Sequence, residues 1–125
     1  MKRITVAVLG LAFLAGPTFA HHSGAMFDRT KVVVIDGTVK EFGWNNPHSW
    51  IRLVAHDETG DKEWTVEMGS WSGLARAGWT KYSLKPGDHV QLKVYPLKSG
   101  GAGGAFKEVT TADGKVLGGG PAGAG

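Results

Sequence analysis

Cysteine is absent from the 125-residue chain. Disulfides, thiolate metal sites and a lipid-modified N-terminal cysteine are therefore excluded. A surplus of one charge is also nearly lacking: the whole chain carries 14 Lys and Arg against 11 Asp and Glu, and without Lys2 and Arg3 the balance is 12 against 11. Such a near-neutral domain offers no electrostatic footprint for nucleic acid or an anionic membrane. Long apolar runs are missing after Ala15, and the run before it is too short to cross a bilayer, which needs roughly 20 apolar residues. The Gly-rich stretch Ser99–Gly104 lacks the Lys and Ser/Thr of a phosphate loop, and no Gly-x-Ser-x-Gly nucleophile elbow occurs.

What the N-terminus does contain is ordered like an export signal. Lys2 and Arg3 supply a positive start, Ile4 to Ala15 form the apolar stretch, and Gly16-Pro17 breaks it before a small-residue site ending at Ala20. Residues 1–20 read as a secretory signal peptide, which places the mature protein in the periplasm or outside the cell, with no stable membrane insertion after cleavage. Cutting after Ala20 makes His21 the new N-terminus, followed at once by His22. Residues 21–125 suffice for one small domain with one modest core.

The dominant period of that domain is two. Lys31 to Phe42 is rich in β-branched residues, with Val33, Ile35 and Val39 on one face and Gly37 marking a bend or bulge. The turn Trp44-Asn45-Asn46-Pro47 leads into a strand over 48–54, where Ile51 and Leu53 face opposite to Trp50 and Val54. A polar hairpin loop over 56–61 precedes Glu63 to Met68, in which Trp64, Val66 and Met68 share a face. Ser70 is a helix N-cap, Trp71, Leu74 and Ala75 recur at helical spacing, and Gly78 offers a stop. Val90, Leu92 and Val94 alternate with polar neighbours in the cleanest strand. Ser99–Gly104 reads as a flexible loop before a last strand over 105–110, and Ala112-Asp113-Gly114 turns into Lys115-Val116-Leu117. From Gly118 the glycine-rich tail, 118–125, buries nothing and is expected to be disordered.

Three strands, a short helix and two further strands is the element order of the OB-fold, so the expected architecture of 21–117 is mainly β, a small OB-like five-stranded barrel with one short helix. A small β-sandwich is the alternative.

Several motifs in order then suggest a family. His21-His22-Ser23 with Met26-Phe27-Asp28, Asn46-Pro47-His48-Ser49-Trp50, Glu67-Met68-Gly69, Gly73-Leu74-Ala75-Arg76 with Gly78-Trp79, and Leu84-Lys85-Pro86-Gly87-Asp88 together resemble a family of small exported bacterial proteins that carries a domain-of-unknown-function label. The resemblance covers nearly all of the chain between the signal and the tail. It implies export and one compact domain, and it assigns no activity.

Chemistry must therefore come from the residues. A free α-amine and an imidazole on His21 can close a chelate ring around a metal, since both lose their protons near neutral pH. One more imidazole completes three nitrogens in a T, a histidine brace, which suits the tetragonal preference of Cu(II). A second geometry uses the amine, the His22 backbone nitrogen and the His22 imidazole. His48 is the candidate third ligand of the brace: it follows a Pro-containing turn at the expected barrel rim, and the family resemblance pairs its motif with the N-terminal histidines. His56, in a polar loop, and His89, on a polar strand face, read as exposed residues. Met26 and Met68 are possible soft ligands, although Met68 shares a core face. Copper is accordingly the candidate cofactor, with His21, His22 and His48 as its ligands.

The other groupings are weaker. Glu63 and Glu67 share a strand face, which more commonly means solvation than acid–base catalysis, and no enzymatic activity is expected. Trp64 and Trp79 read as core, whereas Trp44 and Trp50 flank the Asn-Asn-Pro-His turn and, with Asn46, could wall a ligand site. Two functional readings result. One is an exported copper carrier or buffer; the other is a non-metal OB-like module presenting Trp44, Asn46 and Trp50 to a cell-envelope partner or saccharide. Both require export, and N-terminal sequencing of the secreted protein should read His-His-Ser; any other start removes the His21 chelate.

Overall fold

In the computed structural model, which describes residues 24–119, a 3-10 turn (Gly24–Met26) is followed by β1 (Val33–Gly43), β2 (Trp50–Asp57), β3 (Gly60–Glu67), α1 (Trp71–Arg76), β4 (His89–Pro96), β5 (Gly103–Thr111) and β6 (Val116–Gly118). Residues 1–23, which include the expected signal peptide, His21 and His22, and the tail beyond Gly119 lie outside the described residues. Among the described residues no helix is long and apolar enough to cross a membrane.

β1 pairs antiparallel with β2 through its second half and with β4 through its first, and Gly37 takes part in both ladders, opposite Ala55 and Val90. That dual pairing bends β1 around the core. The bulge itself falls later, between Val39 and Glu41. β2 pairs with β3, β4 with β5, and β5 runs parallel to β3 over Thr65–Glu67, which closes five strands into a barrel in the OB-like order. β6 adds an outer strand against β5. The expected barrel is therefore present, and the sandwich alternative is set aside.

Alternation decides what the barrel encloses. Ile35, Val39, Ile51, Leu53, Val66, Val90, Leu92, Val94 and Val109 point inward and are buried, as period-two strands around one core require. Trp79 closes one end of this core. Its ring is 2% exposed, lies 5.7 Å from Phe42 and 5.4 Å from Phe106 between centroids, and its Nε1–H donates to the Gly118 carbonyl at 2.8 Å.

Three expectations change. Gly103 and Gly104 belong to β5 rather than to a flexible loop, because the barrel is closed there by close backbone approach. A β-carbon at Gly104 would lie 2.7 Å from the Tyr95 carbonyl oxygen. β2 and β3 continue to a tight turn at Glu58-Thr59, where the Asp57 carboxylate accepts from the Thr59 amide at 2.7 Å, so His56 is a strand residue. In α1 the Ser70 hydroxyl accepts from the Gly73 amide at 3.3 Å as an N-cap should, yet only Gly73 and Leu74 are buried. Trp71 and Ala75 face outward.

Because Trp79 joins the core to the last strand, Trp79→Ala should lower the unfolding free energy by about 3–5 kcal/mol. Trp79→Phe keeps a ring but loses the bond to Gly118 and should cost about 1–2 kcal/mol; urea unfolding curves would measure both.

Candidate functional site

The segment Trp44–Ser49 joins β1 to β2 at the rim of the barrel, and Ser49 fixes its shape. Ser49 is fully buried; its hydroxyl donates to the Asn45 carbonyl and accepts from the Asn45 amide, both at 3.2 Å. Its backbone is clamped as well, with its amide donating to Gly69 at 2.9 Å and its carbonyl accepting from Met68 at 2.8 Å. The loop is thus stitched onto the residues that follow β3. The Trp71 amide adds a bond to the Asn45 carbonyl at 3.2 Å, bringing the start of α1 to the same corner. The Asn46–Pro47 peptide bond within it is cis.

His48 stands exposed on this corner, and its Nδ1 lies 3.2 Å from the Met68 carbonyl oxygen. A carbonyl only accepts, so Nδ1 carries the proton in this contact. In the neutral form of such a ring the lone pair is on Nε2. That is how metal-binding imidazoles are oriented, with one nitrogen donating to a carbonyl or carboxylate and the other left for the ion. The other two described histidines are held by carboxylates on the strand ladders rather than by a backbone carbonyl. His56 places Nδ1 at 2.7 Å from Asp61 and Nε2 at 3.4 Å from the Thr38 hydroxyl, while His89 Nε2 sits 2.7 Å from Asp36. Met68 is 5% exposed and belongs to the core, as its strand face implied. Among the described residues no cluster of three His, Asp or Glu could hold a metal, so a metal at His48 would have to draw its remaining ligands from elsewhere.

The tryptophans of the corner are arranged unequally. Trp44 is half-buried and meets Phe42 edge-on, with centroids 5.9 Å apart, against the margin of the core. Trp50 lies flat across β1: a β-carbon at Gly43 would run into its ring, and the Arg52 guanidinium stands 4.7 Å from its centroid. Arg52 is itself held by Glu41 at 3.1 Å. Asn46 is exposed. Trp71, grouped by helical spacing with Leu74 and Ala75, is 44% exposed beside Asn45 and is the aromatic of this corner most open to solvent. Its position in the first turn of a helix of only six residues leaves it no neighbour to pack under. The buried role of Ser49 carried no signal beyond its place after the Pro-His pair.

Elsewhere most of the acids are engaged. Glu63 pairs with Lys40 at 2.8 Å, and that hydrogen-bonded ammonium holds its carboxyl below the usual range. A polar cleft of about 460 Å3 lies between the α1–β4 connection and the β5–β6 turn, lined by Tyr82, Ser83, Lys85, Asp88, His89 and Asp113 among others. Its two carboxylates are held below their ordinary range by local donors, Asp88 chiefly by Lys85 and Asp113 chiefly by the Thr111 hydroxyl. They point their charge at their own turns.

Comparison with known families places the chain: it belongs to a family of unknown function (DUF6152), whose model matches residues 8–107. No curated protein and no solved structure matches it.

Ser49→Ala removes both side-chain bonds to Asn45 and leaves its amide without that acceptor, so it should destabilise the protein by about 1–2 kcal/mol in urea unfolding. It should also broaden the His48 ring resonances in NMR spectra, since the loop that orients the imidazole loosens.

Proposed function

We propose that the protein is an exported copper-binding protein, a carrier or buffer rather than an enzyme, that holds Cu(II) through the amine and imidazole of His21 and the imidazole of His48. The observation that supports this reading is the fixed ring of His48. Its Nδ1–H is committed to the Met68 carbonyl, and its Nε2 is left without a protein partner on an exposed rim. A nitrogen-rich, tetragonal set of this kind favours Cu(II) over the other divalent first-row ions.

Bringing the two parts together takes nearly the full extended length of the intervening chain. Phe27 bridges to Leu97, Leu97 bonds to Gly103, and Gly103 pairs with Thr65, three residues before Met68. At about 4.8 Å per neighbouring strand and 3.3 Å per residue, Phe27 and Met68 are roughly 18 Å apart. The six residues back to His21 span about 20 Å only when fully extended; Gly24–Met26 are coiled in a 3-10 turn, so the brace requires that turn to open. His22 competes through its own chelate with the terminal amine, a geometry that needs nothing from His48.

A Cu(II) titration followed by EPR separates these arrangements. The brace predicts a stoichiometric, nitrogen-rich tetragonal signal that is lost when one residue is added before His21, weakened at least tenfold in His48→Ala and retained in His22→Ala. Loss in His22→Ala with no effect of His48→Ala would establish the local chelate instead. Weak binding insensitive to all three changes would sink the copper reading and favour the non-metal module, with Trp71, Trp50 and Asn46 as its exposed corner.

A further inference from the structure

The described domain carries almost no net charge, with 12 Lys and Arg against 11 Asp and Glu after the signal, but the fold does not spread those charges evenly. Tyr95, on the outer face of β4, has two cations over its ring. The Arg29 guanidinium is 5.3 Å and the Lys107 ammonium 5.6 Å from its centroid. Each is delivered by a local backbone device. Arg29 sits in a turn where the Asp28 carboxylate accepts from the Thr30 amide at 3.0 Å, and the Asp28 amide is pinned to Pro96 at 2.8 Å. Lys107 is the extra residue of the bulge in β5, since Val94 faces Phe106 and Lys93 faces Glu108.

Lys31 and Lys98 extend the same surface, both lying close enough to Asp28 to help hold its carboxyl ionised, after the dominant hydrogen bonds from Thr30. The acids here are already paired: Asp28 with Lys31 at 3.7 Å and Glu108 with Lys93 at 2.9 Å. Neither Arg29 nor Lys107 has a carboxylate partner among the described residues, whereas Lys40, Arg52 and Lys85 do. Drawing like charges together without a counter-ion is unfavourable in the isolated protein.

Apolar side chains lie on the same face. Val34 is 54% exposed opposite Lys93, and continuing that register sets Val32, 45% exposed, opposite Tyr95. A tyrosine with two exposed valines, rimmed by four basic residues, matches the water–lipid interface: aliphatic groups to enter the headgroup region, an amphipathic ring at its level, and cations for the phosphates.

We infer that the outer face around Tyr95 docks the protein on an anionic phospholipid surface, with Arg29, Lys31, Lys98 and Lys107 meeting headgroup phosphates and Val32 and Val34 entering between them. This is adsorption, not insertion. It shares no residue with the copper site and does not depend on it.

The test is sedimentation of the chain without residues 1–20, which keeps every described strand, with phosphatidylglycerol–phosphatidylethanolamine vesicles and with phosphatidylcholine vesicles, in the presence of a chelator. The expected result is binding to the first alone, falling steeply between about 50 and 500 mM salt. At about fivefold in partitioning per basic residue, Arg29→Glu/Lys107→Glu should reduce binding at least tenfold and Val32→Ser/Val34→Ser severalfold. The control Lys62→Glu/Lys115→Glu makes the same charge change away from this face and should stay within twofold. Equal losses in the two charge-reversed variants, absence of vesicle binding by a folded protein, or binding to soluble polyphosphate without binding to vesicles would each overturn the inference. Unchanged thermal midpoints would show that the variants are folded.

Discussion

Closure of the barrel rests on a short parallel contact, Thr65–Glu67 of β3 against Gly103–Ala105 of β5. Without it the strands would form an open curled sheet with two edges. With it, the end of β3 becomes the place where the chain's irregular parts are tied down. The Thr65 amide donates to Ala102 in the β4–β5 connection, Met68 bonds to Ser49 in the β1–β2 connection, and Ser49 bonds back to Gly69. The N-terminal turn joins the same system through Phe27 and Leu97, so that the strand closing the barrel also organises the rim that carries the candidate site.

This dependence explains which parts were legible in the sequence. Strands such as Val90–Leu92–Val94 announce themselves because one face is apolar and the other polar, and the Ser70 cap and Gly78 stop bracket the helix for local reasons. The closing contact has no such pattern. Gly103 and Gly104 present no side chains to alternate, and what they supply is room for neighbouring backbone, a requirement set by Tyr95 and Thr65 from far along the chain. Composition there suggests a loop; tertiary approach makes it a strand.

Of the candidate site, the identity of His48 could be read from its Pro-His turn, but its protonation pattern could not. The acceptor that fixes the ring is a backbone carbonyl 20 residues away, brought within reach only because Ser49 is buried between the two segments. Trp71 was misleading for the opposite reason. Helical spacing places it with Leu74, yet a two-turn helix lying across a barrel end has too little length to cover its first residue. His21 and His22 lie outside the described residues, and the proposed metal site depends on their position at the terminus that the expected cleavage would expose, together with the His48 ring.

Charge is the property that sequence averages hide most completely. Near-neutral composition disfavours an anionic surface only if the charges are mixed in space. Here the ladder pairs β-strand cations with carboxylates across neighbouring strands, as in Arg52–Glu41 and Lys93–Glu108, and so removes most of them from consideration. The cations that remain near Tyr95 come from a turn, a connection and a bulge, places where strand register imposes no cross-strand partner. A domain can therefore be almost neutral as a whole and still direct a concentrated positive field from one face. The same physics separates His56 and His89, both engaged by carboxylates on the ladders, from His48, which lies on a connection and has no acid at either ring nitrogen among the described residues.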